Sequence, residues 1–346
     1  MKAVYIEKHG GVDALTCGDL PEPDVGPNDV KVRVRATSVN RLDLFTRAGV
    51  KGTRVALSGP HILGGDTAGD VVETGSAVTG LAPGDRVVIN PRLTCGRCAQ
   101  CAGGSDELCS SSGRIGSTTA GSYAEYVSVP AVNAVPLPDS VSYEQGASLP
   151  TVFMPSWSLL LRKADLKPWE TALVLSASSG VGTAAIQVAK NVVGATVIAT
   201  TSTDEKARMA TELGADAVVN YTTEDVTTRV RNLTGGRGAD VVLDHVGADA
   251  WPTATAALAP GGRYGICGVT SGYRAELQMG TLFLKQQTIL GVFMGRSGDL
   301  SHIVQMAERG VIRGVIHKTY PLQEAAKAHE DMEAQTFFGK LVLIVP

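Results

Sequence analysis

The chain has 346 residues, of which 40 are glycine and 5% aromatic, and a formal net charge of −3. That length is too great for one typical compact domain and suits two. With no basic block, no apolar signal core and no stretch near eighteen uninterrupted apolar residues, the sequence predicts a soluble cytoplasmic protein. Nucleic acid and membrane are not expected among its partners.

Residues 2–6 and 30–39 read as strands separated by Pro21-Glu-Pro and Gly26-Pro-Asn-Asp loops, and 70–74 and 86–89 as further short strands beside glycine turns. Lys31, Arg33 and Arg35 alternate along one strand, which marks a solvated face. Short strands closed by turns every ten residues or so predict a mainly β, partly open barrel reaching to about Val135. Residues 142–161 then read as helical.

Within this first part Cys95, Cys98, Cys101 and Cys109 follow the spacing C-x2-C-x2-C-x7-C, with Gly96, Gly103 and Gly104 for sharp turns. Four thiolates in one short loop suit tetrahedral zinc with no open position, so the metal expected here is one structural zinc ion. Disulfides or free thiols are the alternative, less fitting for a cytoplasmic chain with only Cys17 and Cys267 besides.

Residues 172–175 have the length and bulk of a buried parallel strand. A turn of small residues follows from Ser176 to Gly182, and then Val181, Ala184, Ala185, Val188 and Ala189 recur at helical spacing. Small residues let the backbone approach a phosphate, toward which a helix start points free N–H groups. Against G-x-G-x-x-G the chain offers Ala177-x-Ser179-Gly180-x-Gly182, so a plain strand-to-helix turn stays open. Further strands expected at 196–199, 217–219, 240–243, 263–269 and 288–293 make a doubly wound parallel sheet the economical reading, an α/β dinucleotide-binding (Rossmann) domain. Ser178, Ser179, Gly180, Val181 and Gly182 are the pyrophosphate candidates.

Together with Gly84-Asp85-Arg86-Val87, Gly121-Ser-Tyr-Ala-Glu-Tyr-Val and Gly339-Lys340-Leu341-Val342, these features resemble the medium-chain dehydrogenase/reductase superfamily over essentially the whole chain. The resemblance implies a GroES-like catalytic domain split between residues 1–135 and 299–346, with the Rossmann domain at 136–298. The zinc-dependent alcohol dehydrogenases of that superfamily carry Cys-x-x-Asp, Gly-His-Glu and a third cysteine. Here Asn40 stands in the first cysteine position with Asp43 retained, Gly65 and Asp66 replace His and Glu, and Thr151 aligns with the third ligand. Asn, Gly and Thr do not supply a catalytic zinc site. His61, close by, reads as structural.

The sequence therefore resembles the quinone oxidoreductase and enoyl-reductase branch, which implies hydride transfer to a quinone or to an alkene conjugated to a carbonyl. Asn40 is expected to face substrate or nicotinamide, or else to cap its turn, with Asp43 orienting it. The proton donor stays open among Tyr123, Arg41 and solvent. An alcohol dehydrogenase with an unusual metal site on Asp43 or Asp66, and a cofactor-binding protein without turnover, are the alternatives.

The second Rossmann strand runs into Thr200, Thr201, Ser202 and Thr203 with no carboxylate before Asp204. Hydroxyls there, with Lys206 and Tyr221, point to NADPH rather than NADH. Val246, Gly247 and Gly268 lie at expected strand ends and are assigned to the cofactor. His245 has no partner visible in sequence, and Cys267 reads as a small buried residue. The resemblance also implies pairing of the 288–293 strand with a second copy, in a homodimer or homotetramer.

Overall fold

The computed structural model describes every residue of the chain except Lys51. Contacts divide it into two compact units, Met1–Thr151 with Arg296–Pro346, and Val152–Gly295. The first junction falls later in the chain than the expected 135/136, because Tyr143–Ala147 folds onto the strands Asp29–Ser38 and Asp66–Thr74. The second falls slightly before 298/299.

The first unit is built on the strand Asp29–Ser38. Its alternation places Val30, Val32 and Val34 in the core, while Lys31 pairs with Glu22 and Glu73 and Arg35 with Asp70 on the outer face. Asp66–Thr74 lies along one edge, antiparallel. On the other edge Tyr126–Pro130 covers residues 29–33 and Lys340–Ile344 covers 36–38. The seven-stranded sheet runs out to Ala134–Pro136 at one end and Ile316–Pro321 at the other, the open β architecture the sequence predicts. Past the last outward arginine the alternation stops: Ala36, Thr37 and Ser38 are all buried. There the chain delivers polar groups to the interior.

The second unit is a six-stranded parallel sheet. Its order is Ala217–Asn220, Thr196–Thr201, Thr171–Val174, Ala239–Asp244, Leu258–Ile266, Thr288–Gly291. The first strand along the chain lies inside the sheet, so the order reverses between Thr171–Val174 and Ala239–Asp244. The crevice at the carboxyl ends of those two strands is the ligand position of such a sheet. Both strands are buried throughout or nearly so, as parallel strands covered on both faces must be. The expected strand at 288–293 ends at Gly291, and its residues stay largely exposed.

Candidate functional sites

In the second unit the turn after Thr171–Val174 is held at both ends. Ser176 adopts a left-handed conformation (φ 52°), and its N–H donates to Thr200 Oγ1 at 3.0 Å. Ser179 caps the helix Gly180–Gln187, its hydroxyl oxygen accepting from Gly182 N–H at 2.8 Å. A Cβ on Gly182 would lie 2.2 Å from the Ser176 carbonyl oxygen, so glycine is required at the one position of the pattern that the sequence kept. The remaining first-turn N–H groups have no intrahelical acceptor and form an anion-binding start. Ser178, Ser179, Gly180, Val181 and Gly182 thus make one compact cradle.

His245 finds the partner that sequence could not show. Its Nε2 lies 2.8 Å from Ser179 Oγ and 3.2 Å from the Leu175 carbonyl oxygen. A carbonyl only accepts, so Nε2 carries the hydrogen. Burial pushes this imidazole toward its neutral form. His245 therefore braces the cofactor turn from the neighbouring strand, a geometry in which its Nε2 proton is already committed. Beside it Asp244 Oδ1 accepts from the N–H groups of Val246, at 2.6 Å, and Gly247, at 3.1 Å. A Cβ on Gly268 would meet the His245 carbonyl oxygen at 2.8 Å, so backbone crosses backbone closely here.

At the end of Thr196–Thr201 the Thr201 hydroxyl is buried without a hydrogen-bond partner among the described residues. Tyr221 N–H donates to the Thr201 carbonyl at 3.0 Å, and the Tyr221 side chain is 52% exposed. Thr203 caps the helix Asp204–Glu212, accepting from Lys206 N–H. Asp204 is engaged by Asn220 Nδ2 at 2.8 Å. An orphaned buried hydroxyl, a cradle that excludes a Cβ and a helix start fit a dinucleotide cofactor in this unit.

In the first unit the four cysteines converge, their sulfurs all within 4.8 Å of one another. Cys95 to Cys101 is 4.0 Å and Cys98 to Cys101 is 3.5 Å. A tetrahedron of zinc–sulfur bonds requires about 3.8 Å between sulfurs, so the donor set fits zinc. Backbone N–H groups of Arg97 and Cys98 pull the Cys95 thiol down to about 6, favouring the thiolate a metal needs.

The other polar centre of this unit is a buried network. Asp66 Oδ1 accepts from Thr151 Oγ1 at 2.6 Å and Thr151 N–H at 3.0 Å, and Oδ2 accepts from Asn40 Nδ2 at 2.8 Å and Ser38 Oγ at 3.1 Å. Lys340 Nζ donates to Asn40 Oδ1 at 2.6 Å and lies 3.5 Å from Asp66 Oδ2. Of the three positions read as lost zinc ligands, Asn40 and Thr151 are thus joined around a carboxylate–ammonium pair, while Gly65 adds no side chain. This donor set does not fit a catalytic zinc. Nor does the Asn40 amide face outward: Nδ2 also reaches the Ser38 carbonyl, at 3.3 Å, so both ends of the amide are engaged within the unit.

Asp43 stands at the third position of the helix Arg41–Ala48 and reaches back to accept Asn40 N–H at 2.8 Å. Burial raises its carboxyl to about 6, against that hydrogen bond and the nearby charge of Arg114. Tyr123 Oη lies 3.2 Å from Asp43 Oδ2 and 3.2 Å from His329 Nε2. On the far side Arg47 Nη1 is 3.0 Å from His329 Nδ1. A guanidinium only donates, so Nδ1 accepts, Nε2–H donates to Tyr123, and Tyr123 donates to Asp43. Sequence reasoning missed His329 and Arg47, which carry no local motif. Of the three proton-donor candidates, Tyr123 is fully buried with its hydroxyl hydrogen directed at Asp43. His61 is half-buried, with Nε2 3.3 Å from the Gly116 carbonyl.

Residues 26–139 match the alcohol dehydrogenase GroES-like domain family and residues 180–309 the zinc-binding dehydrogenase family. An NAD-dependent alcohol dehydrogenase of Sulfolobus acidocaldarius is 31% identical over 100% of both chains. A quinone oxidoreductase of Pseudomonas aeruginosa is 32% identical over 99% of both, and a 2-haloacrylate reductase of a Burkholderia species 30% identical over 99% of this chain and 98% of its own. Among solved structures, an NAD-dependent alcohol dehydrogenase superposes with a TM-score of 0.96 at 43% identity over 100% of both chains. Escherichia coli quinone oxidoreductase complexed with NADPH gives 0.83 at 28% identity, covering 99% of this chain and 100% of its own. Among the described residues no helix is long and apolar enough to cross a membrane.

Proposed function

Because the chain belongs to the medium-chain dehydrogenase/reductase superfamily, in its quinone oxidoreductase-like branch, we propose that it reduces quinones or α,β-unsaturated carbonyl compounds with NADPH and without a catalytic zinc. It is an NAD(P)-dependent oxidoreductase; the acceptor and the phosphorylated cofactor are the proposal. The observation that carries it is the Asp66–Lys340 pair with Asn40 and Thr151 bound to it. Two neutral side chains stand at positions where the metal-dependent members carry zinc ligands, and an ammonium pairs with the carboxylate beside them.

Oxidising an unactivated alcohol calls for a Lewis acid to form the alkoxide. A conjugated acceptor takes hydride at carbon and places the new charge on a distant oxygen, which hydrogen-bond donors stabilise. When bound, NADPH supplies that hydride. The chain's own work is to hold the pyrophosphate on the Ser178–Gly182 cradle and the 2′-phosphate near Thr201, Ser202, Lys206 and Tyr221, with Val246, Gly247 and Gly268 against the rest of the cofactor. The four-cysteine lobe takes one structural zinc ion. The free cysteines and this metal suit a reducing cytoplasm.

Oxidation of NADPH by a simple quinone and by a neutral enone, beside oxidation of primary and secondary alcohols with NAD and NADP, tests the reading. Turnover confined to the first pair supports it; turnover confined to alcohols overturns it. The alcohol dehydrogenase reading is favoured by the activity that several relatives are named for, and it requires Asp66 or Asp43 to leave its present partners for a metal. NADPH binding without oxidation by any acceptor would point instead to a cofactor-binding protein. A homodimer or homotetramer is proposed through the exposed edge strand Thr288–Gly291 with Phe293, and sedimentation as a monomer at micromolar concentration would remove it.

A further inference from the structure

Beside the Asp43 and Asp66 network lies a cation that the reading above does not use. Arg114 sits on the two-residue strand Gly113–Arg114, paired with Arg92–Leu93. Its Nε is buried without a hydrogen-bond partner among the described residues. The acids whose charge reaches it are Asp43 and Asp66. Among the described residues no hydrogen bond joins either acid to the Arg114 guanidinium: both Asp66 oxygens are taken by Thr151, Asn40 and Ser38, and Asp43 Oδ2 by Asn40 and Tyr123, which leaves Asp43 Oδ1. Arg92 adds a like charge from the facing strand, itself met by Asp106, Glu107 and the cysteine lobe.

The backbone that carries this guanidinium is fixed. Arg114 N–H donates to Thr118 Oγ1 at 2.7 Å, and its carbonyl accepts from Ser117 and Thr118 N–H. The loop presses on the two glycines of Gly64-Gly65-Asp66. A Cβ on Gly116 would lie 2.5 Å from the Gly64 carbonyl oxygen, and one on Gly65 would meet the Ile115 carbonyl oxygen at 3.0 Å. Gly65 is the position where the metal-dependent members carry histidine, and here a cation on a hydrogen-bonded loop lies alongside it. A desolvated guanidinium with unused donors is costly unless an anion completes it, and its planar fork matches a carboxylate.

Resting on the reductase reading, we propose that Arg114 binds a carboxylate of the acceptor, so that the preferred substrates are conjugated alkenes bearing a free carboxylate. Quinones and neutral enones are then secondary substrates.

The test compares 2-chloroacrylate with its methyl ester in the NADPH-oxidation assay, and measures by calorimetry the binding of the saturated, unreactive 2-chloropropionate. Wild type, Arg114→Met and Arg114→Lys are used, with thermal unfolding as the fold check. The expected result is a kcat/KM for the carboxylate that falls about 100-fold in Arg114→Met while the ester changes less than about threefold, with 2-chloropropionate binding lost in parallel and partly kept in Arg114→Lys. Equal losses on acid and ester, or 2-chloropropionate binding unchanged by Arg114→Met, overturn the proposal. Turnover of neutral enones with no preference for the acid removes the proposal and leaves the reductase reading standing. Absence of NADPH oxidation with every acceptor removes that reading, and the calorimetric arm still decides the role of Arg114.

Discussion

Lys340 Nζ lies 2.6 Å from Asn40 Oδ1 across 300 residues of sequence, and through Asn40 and Asp66 it ties the last strand of the chain to the helix start at Arg41. A buried ammonium here neutralises the Asp66 carboxylate in the place of a divalent metal. Its burial lowers the Lys340 pKa, and the two nearby carboxylates offset part of that fall.

Removing that ammonium leaves a carboxylate buried and uncompensated. Lys340→Met is expected to lower unfolding free energy by about 3–5 kcal/mol, measured by urea denaturation at neutral pH. A loss under about 1 kcal/mol would show that the pair does not hold the network.

Asp43 and His329 should set opposing acid dependences. Burial raises Asp43 from 3.8 to about 6, so between those values the native state keeps a proton the unfolded chain has lost, and stability falls as pH rises. Burial and Arg47 lower His329 from 6.5 to about 3, so across the same window the unfolded chain holds the extra proton and stability rises with pH. Relative to wild type, Asp43→Asn is expected to gain about 2–3 kcal/mol between pH 4 and pH 6, and His329→Gln to lose a similar amount. Urea midpoints across that range check both signs, and parallel curves for all three proteins would contradict the assignment.

The zinc lobe is predicted to be dispensable for cofactor binding. Cys98→Ser should lose zinc by elemental analysis and lower the unfolding temperature, because structural zinc contributes folding energy directly. NADPH affinity, carried by the other unit, should stay within about twofold. A collapse of cofactor binding together with the metal would refute that separation.

The cofactor turn offers a sharper lesion. Gly182→Ala places a methyl group 2.2 Å from the Ser176 carbonyl oxygen and should weaken NADPH and NADH binding alike, by about tenfold or more. Lys206→Ala should instead raise the Kd of NADPH alone, by about tenfold. Fluorescence titration with both cofactors distinguishes them, and equal losses in Lys206→Ala would remove Lys206 from phosphate recognition.

Features written in local spacing were readable in advance. The alternation of strands and helices from residue 171 onward gave the doubly wound sheet, and C-x2-C-x2-C-x7-C gave the converged sulfurs. The turn from Ser176 to Gly182 and the helix start after it are legible because both are made within a few residues. What stayed hidden depends on partners far apart in sequence: His245 on Ser179, Tyr123 on His329, Asn40 on Lys340. None of these leaves a periodic or motif signal. The motif position of Asn40 carries no sign of the hydrogen bonds its amide makes to Lys340 and Asp66, which two other strands bring in. The first unit's boundary was placed early because residues 142–151, helical like those that follow, gave no sign of packing on the β sheet.

The most direct test counts zinc per chain and assays turnover on the same sample. The account predicts one zinc per chain and NADPH oxidation by a quinone or a conjugated alkene, with no alcohol oxidation. Two zinc ions per chain with alcohol oxidation that disappears when one is removed would contradict it.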